Sequence, residues 1–203
     1  MRIFWSQPII ASDYKNKMQI NLSWDLFVIV FFAVIIAYSF IIGRNQTLKI
    51  IIASYIAILT ADGIGNLIQF YFLGEKALFN LFQAPTTETT LIIMKIIIFV
   101  FTIVVISTRG RFTITLGHAD SSLMNLVLNL TYGILSAGLI TSTILIYASG
   151  SSLVQEANII MNEAILKMYR ESEMVKIMIN NYNVWFSLPA ITFVLSSFVG
   201  EES

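Results

Sequence analysis

The sequence predicts an all-α polytopic membrane protein, for three reasons. Of the 203 residues, 57% are hydrophobic and only 12% are charged, whereas soluble domains average about 45–50% and about 25%. The mean hydropathy is +0.80. Four stretches come near or exceed the roughly 20 apolar residues that a helix needs to cross a bilayer. We therefore expect four transmembrane helices rather than a soluble enzyme.

The four predicted spans follow one another along the chain. Leu26–Gly43 carries no charge and begins beside Trp24, a residue type typical of the membrane interface. Lys49–Leu73 contains a single acidic residue, and Thr90–Ser107 contains a single basic one. Leu123–Ser149 is uncharged but rich in Asn, Thr, Ser and Gly. Each stretch is long enough to cross the hydrocarbon core as a helix.

The chain divides into three predicted regions. Residues 1–21 are predicted to form an N-terminal arm that is partly interfacial. Their charges are spread along the arm, without the continuous apolar core of a signal peptide. Residues 22–149 form the four-helix transmembrane domain. Residues 150–203 hold an amphipathic helix and a short apolar C-terminal segment.

The amphipathic helix is predicted over Leu153–Ser172. Ala157, Ile160, Ala164 and Met168 recur there at helical spacing, and charged residues gather on the opposite face. This period is typical of a helix that lies half in water and half on lipid or protein. We expect the helix to lie flat on the outer membrane surface or to cap the bundle, with these four residues turned inward.

The chain is predicted to change direction twice after this helix. Lys176 falls on the apolar side of the helical pattern, so we expect a bend or a rotation of the face near Ser172. Val184–Val199 is apolar again but short, and it contains Pro189. A re-entrant segment or a hairpin that turns at Pro189 fits this stretch as well as a fifth span does, and we expect the hairpin.

The basic residues predict the orientation. Arg44 and Lys49 flank the turn between the first two spans, and Arg109 and Arg111 follow the third. Because Lys and Arg next to the ends of spans favour the cytoplasmic side, we expect both loops to be cytoplasmic and both termini to be extracytoplasmic. The predicted location is the plasma (inner) membrane, with several crossings.

An intramembrane polar pair is predicted between the second and third spans. Asp62 lies near the middle of its span, and Lys95 lies about six residues into the next. With a rise of about 1.5 Å per residue, Asn66 is level with Lys95, and Asp62 is about one turn deeper. Charges at this depth usually face protein or a water-filled cavity. The pair could line an ion path tuned by Asn66, or it could be structural, which we favour.

A packing stripe is predicted on the fourth span. Asn125, Asn129, Gly133, Ala137 and Thr141 recur at strict i, i+4 spacing. Small residues allow close helix contact, and Asn and Thr side chains can form hydrogen bonds between helices. The partner helix could belong to this chain, which we favour, or to a second copy.

Composition and motifs argue against several classes of function. The chain has no cysteine and a formal net charge of zero, which gives no reason to expect a thiolate metal site or nucleic-acid binding. No phosphate-binding loop, dinucleotide fingerprint, zinc spacing or nucleophile elbow occurs. We therefore expect no enzymatic activity, no cofactor and no small-molecule substrate.

Two segments resemble a known family. The first is AYSFIIGRNQTLKIIIASYIAILTADGIG, with Asp25 before the span and Gly43-Arg44 at its end. The second is SSLMNLVLNLTYGILSAGLITSTILIY, in which Gly133 and Gly138 are spaced along the fourth span. Together they resemble the colicin V production (CvpA) family of small bacterial inner-membrane proteins, over roughly residues 24–153. The chain departs from that family in its long N-terminal arm, and in having one turn glycine where the family usually has two.

The resemblance implies an envelope protein without enzymatic activity, linked to toxin export and envelope maintenance. Two other hypotheses stay open. The chain could be a small structural subunit of a larger membrane complex, or part of an ion-coupled transporter that uses Asp62 and Lys95. The expected partners are the lipid bilayer and either further copies of the chain or other membrane subunits.

Overall fold

The computed structural model describes residues 24–70, 88–112, 114, 122–152 and 163–199. This part of the chain is helical and contains no strand. Its helices are α1 (Trp24–Ile42), α2 (Arg44–Ile68), α3 (Glu88–Arg109), α4 (Ser122–Ala148), α5 (Glu163–Glu171), α6 (Glu173–Asn180) and α7 (Tyr182–Val199).

The prediction of four transmembrane helices is confirmed. The four helices α1 to α4 are long and apolar enough to cross a membrane, and a shorter apolar helix follows near the C-terminus. The helix α2 begins at Arg44, five residues before the predicted start of its span, because the turn before it is a single residue. Of these four helices, α1 and α3 are the least buried. Only 17% of the most apolar 18-residue stretch of α1, and 6% of that of α3, is buried within the protein.

A single glycine connects α1 and α2. Gly43 has a φ of 79°, a left-handed conformation that L-residues with a Cβ rarely adopt. Its carbonyl accepts hydrogen bonds from the Thr47 backbone N–H and hydroxyl, each at 3.0 Å. The Thr47 hydroxyl also lies 2.7 Å from the Ser39 hydroxyl on α1. These bonds occupy the polar groups of the turn within the protein.

The helices α2 and α4 form the centre of the bundle. The helix α4 packs on α1, α2, α3, α6 and α7, while α2 packs mainly on α3 and α4, and α1 mainly on α4. The helices α1 and α2 themselves share a smaller contact, although only Gly43 separates them. The main core is lined by Leu48, Ile51, Ala57, Ile58, Ala61, Phe99, Tyr132, Leu139 and Tyr147.

The predicted bend near Ser172 is present. Ser172 has an extended backbone, with φ −123° and ψ 123°, and separates α5 from α6. Its side chain accepts a hydrogen bond from the Val175 backbone N–H at 3.1 Å, which caps the new helix. The side chain of Lys176, the residue from which the bend was predicted, forms an exposed ion pair with Glu173, with 3.0 Å between Nζ and Oε2.

The predicted hairpin at Pro189 is wrong. Residues 182–199 form one continuous helix, α7, with Pro189 inside it. A proline in a helix removes a donor and displaces a carbonyl of the preceding turn, but a neighbouring helix can satisfy the freed carbonyl. The carbonyl that Pro189 leaves without its helical donor is that of Trp185, four residues earlier. The next carbonyl, that of Phe186, accepts a hydrogen bond from the Tyr55 hydroxyl of α2, which ties this turn to the bundle. The helix α7 continues along α4, on which it packs.

Candidate functional site

The structure brings the predicted intramembrane pair together. The Lys95 Nζ on α3 lies 3.3 Å from the Asp62 Oδ1 on α2. The Asp62 residue is only 2% exposed, and the Lys95 side chain is 14% exposed. At this distance, the attraction between the two charges is the main interaction that offsets the cost of burying each of them.

Gly65 makes room for the Lys95 stem. A Cβ atom built at Gly65 would lie 2.5 Å from the Lys95 Cε and 2.9 Å from its Cγ, so the stem passes directly over the backbone of α2. Gly63 is different, because nothing lies within 4 Å of a Cβ built there. Small residues such as glycine can permit a close helix contact, and glycine can also weaken a helix interior. The structure has the close contact at Gly65, and α2 is unbroken through both.

Tyr147 of α4 forms the third side of the site. The Lys95 Nζ lies 5.9 Å from the centre of its ring, within the range of a cation–π interaction. The Tyr147 hydroxyl donates a hydrogen bond to the Ile58 carbonyl at 3.1 Å. Phe99 packs edge-on against the same ring at 6.0 Å. The site therefore joins α2, α3 and α4, and no pattern in the sequence identified Tyr147.

One acceptor of the pair has no hydrogen bond. The Asp62 Oδ2 is buried and accepts none from the described residues. Asn66 is half-buried, and the described residues include no hydrogen bond between its side chain and either partner. Tuning of the pair by Asn66 therefore stays a prediction, without a hydrogen bond from its side chain among the described residues. In the same part of the chain, no group of three or more His, Cys, Asp or Glu side chains could hold a metal ion.

A second buried charge ties α2 to the end of α3. Lys49 is 8% exposed, and its Nζ donates a hydrogen bond to the Gly110 carbonyl at 2.6 Å. The same ammonium lies 5.2 Å from the centre of the Phe112 ring. A cation is favourable there because the carbonyls at a helix C-terminus lack intrahelical donors. The contact places the α1–α2 turn and the C-terminus of α3 at the same end of the bundle, which we call the Gly43 end.

A third buried charge lies at the opposite end, which we call the Trp24 end. The Asp25 carboxylate in the first turn of α1 accepts hydrogen bonds from the Ser172 hydroxyl and, at 3.1 Å, from the Met174 backbone N–H. A carboxylate at the start of α6 satisfies free N–H groups and complements the helix dipole. Asp25 is thereby buried and holds the C-terminal helices against α1. The serine followed by glutamate at 172–173 is the sequence signal for such a helix start.

The predicted stripe on α4 is only partly a packing surface. Gly133 faces α1, and a Cβ atom built at Gly133 would lie 3.1 Å from the Ser39 Oγ of that helix. Ala137 is fully buried. Thr141 is also buried, but its hydroxyl has no hydrogen bond to the described residues. Asn125 is exposed and Asn129 half-buried, and the Asn129 Oδ1 likewise lacks a described partner. The partner of Gly133 is a helix of the same chain, as we favoured.

The predicted amphipathic face lies largely outside the described residues. This applies to Ala157 and Ile160, and also to the side chain of Ala164. Met168 is half-buried and packs against a second apolar cluster. The buried members of that cluster come from α1, α4, α5 and α6, and they are Val28, Leu145, Ile165, Val175, Met178 and Ile179. The described part of the amphipathic helix therefore packs against the bundle.

Comparison with known proteins does not identify the chain. No protein family, curated protein or solved structure matches it. The fold and the site define the class as a helical membrane protein with four helices able to cross the bilayer. The resemblance to the colicin V production family stays a prediction based on the two segments quoted above.

Proposed function

We propose that the protein is a non-enzymatic integral membrane protein, similar to colicin V production proteins, that acts as an envelope scaffold or as an accessory to toxin or peptide export. The observation that supports this proposal is the role of the buried charges. In the described chain, Asp25 and Asp62 each contact a group on another helix, and Lys49 contacts the carbonyl directly after the end of α3. Buried charges used in this way hold helices in register.

The lateral surface also supports a scaffold. The helices α1 and α3 expose large apolar side chains along their lengths, among them Ile41, Ile97 and Phe101. Such a surface suits lipid and the transmembrane helices of other proteins. We propose that the protein resides in the plasma (inner) membrane, with the Gly43 end in the cytoplasm.

The experiment that tests the proposal is purification of the full chain in a mild detergent. The particle mass would be measured by light scattering, and accompanying proteins would be identified by mass spectrometry. We expect a particle larger than one 22.8 kDa chain that contains export or envelope-maintenance proteins and is absent when an unrelated four-span protein is purified identically. A bare monomer without accompanying proteins would contradict the proposal.

A second candidate function is a role in ion-coupled transport. It is favoured by the Asp62 Oδ2, a buried acceptor without a described hydrogen bond. The test is proton flux into liposomes that contain the purified chain and a pH-sensitive dye, comparing Asp62→Asn with Glu171→Gln, a change at an exposed residue. A flux that only Asp62→Asn abolishes would support transport and would contradict the scaffold proposal.

A third candidate is a small structural subunit of a larger membrane complex. This candidate is favoured by the low burial of α3, because only 6% of its most apolar 18-residue stretch is buried within the protein. The same purification separates the two proposals, because a subunit would be recovered in fixed stoichiometry with its complex. An export accessory would instead be recovered with its partners in variable amounts.

A further inference from the structure

A cleft between α1 and α2 is a candidate binding site for a membrane lipid. It has a volume of about 140 Å³ and arises because the two helices share little contact beyond Gly43 while both pack on α4. Ile35 and Tyr38 line it from α1, Ile50 from α2, Ile103 from α3 and Ile140 from α4. Tyr38 is 52% exposed, so the cleft reaches the surface of the bundle.

The walls of the cleft favour an apolar occupant. The polar side chains among them are Ser39, Thr47 and Ser136. The first two hydroxyls bond to each other at 2.7 Å, and the third lies 3.0 Å from the Gly133 carbonyl. A buried water needs two to four polar partners, and these hydroxyls are already engaged. Apolar cavities of roughly this size stay dry and bind molecules as large as benzene, which is comparable to a few methylenes of an acyl chain.

The cleft lies beside a group of basic residues. Ile103 lies about two turns before the end of α3, and the carbonyl of Gly110, directly after that end, is bonded to Lys49. Lys49 directly precedes Ile50 of the cleft. Arg109 and Arg111, on either side of Gly110, are both exposed. With a rise of about 1.5 Å per residue, Arg109 lies about 9 Å from Ile103 along α3.

The charge at this end is of one sign in the described part of the chain. Arg44, Lys49, Arg109 and Arg111 lie at the Gly43 end, and residues 42–49 and 106–112 contain no acidic side chain. Basic groups at the ends of transmembrane helices attract anionic headgroups. An apolar cleft that opens beside them would hold the acyl chain of the same molecule.

From these contacts we infer that the cleft binds one acyl chain of an anionic phospholipid, whose phosphate is bound by Arg109 and Arg111. This site is independent of the proposed scaffold function. It goes beyond general attraction to a charged membrane, because it requires both the cleft and the cations.

The experiment measures lipid binding to the full chain in detergent by native mass spectrometry. The probes are palmitoyl-oleoyl phosphatidylglycerol and the matched phosphatidylcholine. We expect one phosphatidylglycerol to bind more tightly than further copies, and about 10-fold more tightly than phosphatidylcholine. Inorganic phosphate at the same concentration should not compete, because it cannot occupy the cleft. Equal binding of the two lipids, or competition by phosphate, would overturn the inference.

Two variants test the two halves of the site. The double change Arg109→Gln and Arg111→Gln should remove most of the preference for phosphatidylglycerol, whereas Arg170→Gln at the other end should leave it unchanged. Ile35→Trp should fill the cleft and weaken binding of both lipids, whereas Ile41→Trp, at an 82% exposed position of the same helix, should not.

The charge variant keeps the test decisive even if Ile35→Trp does not fold, since its substitutions are at exposed residues and size-exclusion chromatography verifies the folded state. If the double arginine change leaves the preference for phosphatidylglycerol intact, the inference is wrong. Equal lipid binding by folded Ile35→Trp and Ile41→Trp would likewise exclude the cleft.

Discussion

Replacement of the Asp62–Lys95 pair provides a direct test of how the bundle is held together. Lys95→Met would leave the Asp62 carboxylate, 2% exposed, without its only ion-pair partner in the described chain. Breaking a buried pair from one side typically costs about 3–5 kcal/mol, whereas replacing both partners by apolar or neutral groups is often neutral. We therefore expect Lys95→Met to lower the free energy of unfolding by about 3–5 kcal/mol.

The reverse single change should cost less. Asp62→Asn leaves a lysine whose side chain is 14% exposed and whose long stem can reach toward a polar region. The ammonium also keeps its position over the Tyr147 ring. We expect a loss of about 1–3 kcal/mol for Asp62→Asn, and a double variant within about 1 kcal/mol of the original protein.

The assay is equilibrium unfolding of the full chain in mixed micelles, followed by circular dichroism. The two single changes and the double change form a cycle, in which we expect a coupling energy of at least about 2 kcal/mol. The exposed pair Lys176–Glu173, at 3.0 Å, is the matched control. Its coupling should stay below about 1 kcal/mol, because exposed pairs contribute little. A double variant as unstable as the sum of its singles would refute this account of the buried pair.

Three further predictions concern packing, capping and orientation. Gly133→Leu should disrupt the α1–α4 contact and lower the yield of monodisperse protein. Gly63→Leu should not, because a Cβ at Gly63 meets nothing within 4 Å. Equal yields of the two variants would mean that the contact at Gly133 is unimportant. Ser172→Ala should lower the unfolding free energy by about 1–2 kcal/mol in the same micelle titration, since it removes the cap of α6 and one hydrogen bond to the buried carboxylate beside it; an unchanged midpoint would contradict this. Because the chain has no cysteine, an impermeant thiol reagent on intact cells should label Glu171→Cys and spare Asn45→Cys, and the opposite pattern would reverse the predicted orientation.

The sequence predicted the four spans because each is a local property. Whether a segment enters a bilayer depends on the summed apolar character of about 20 neighbouring residues. The bend at Ser172 was predictable for the same reason, since the misplaced charge of Lys176 and the capping serine lie within one turn of each other.

The predicted hairpin at Pro189 was wrong because the outcome depended on a distant residue. Proline disfavours a helix interior when its effects are considered locally. The hydrogen bond from Tyr55 to the Phe186 carbonyl joins residues 131 positions apart, and no local pattern in the chain identifies it. The lysine contact between Lys49 and Gly110 was missed for the same reason.

The intramembrane site lies between these cases. The depths of Asp62 and Lys95 in neighbouring spans were enough to predict the pair. Opposite charges within a membrane usually pair with each other, and the constant rise of a helix gives their depths. Tyr147 and the passage of the lysine stem over Gly65 depend on how α4 and α3 are rotated about their axes. Hydropathy along the chain therefore determined that these helices form and span, and only tertiary packing decided which faces meet, because rotation about a helix axis depends on contacts between distant residues.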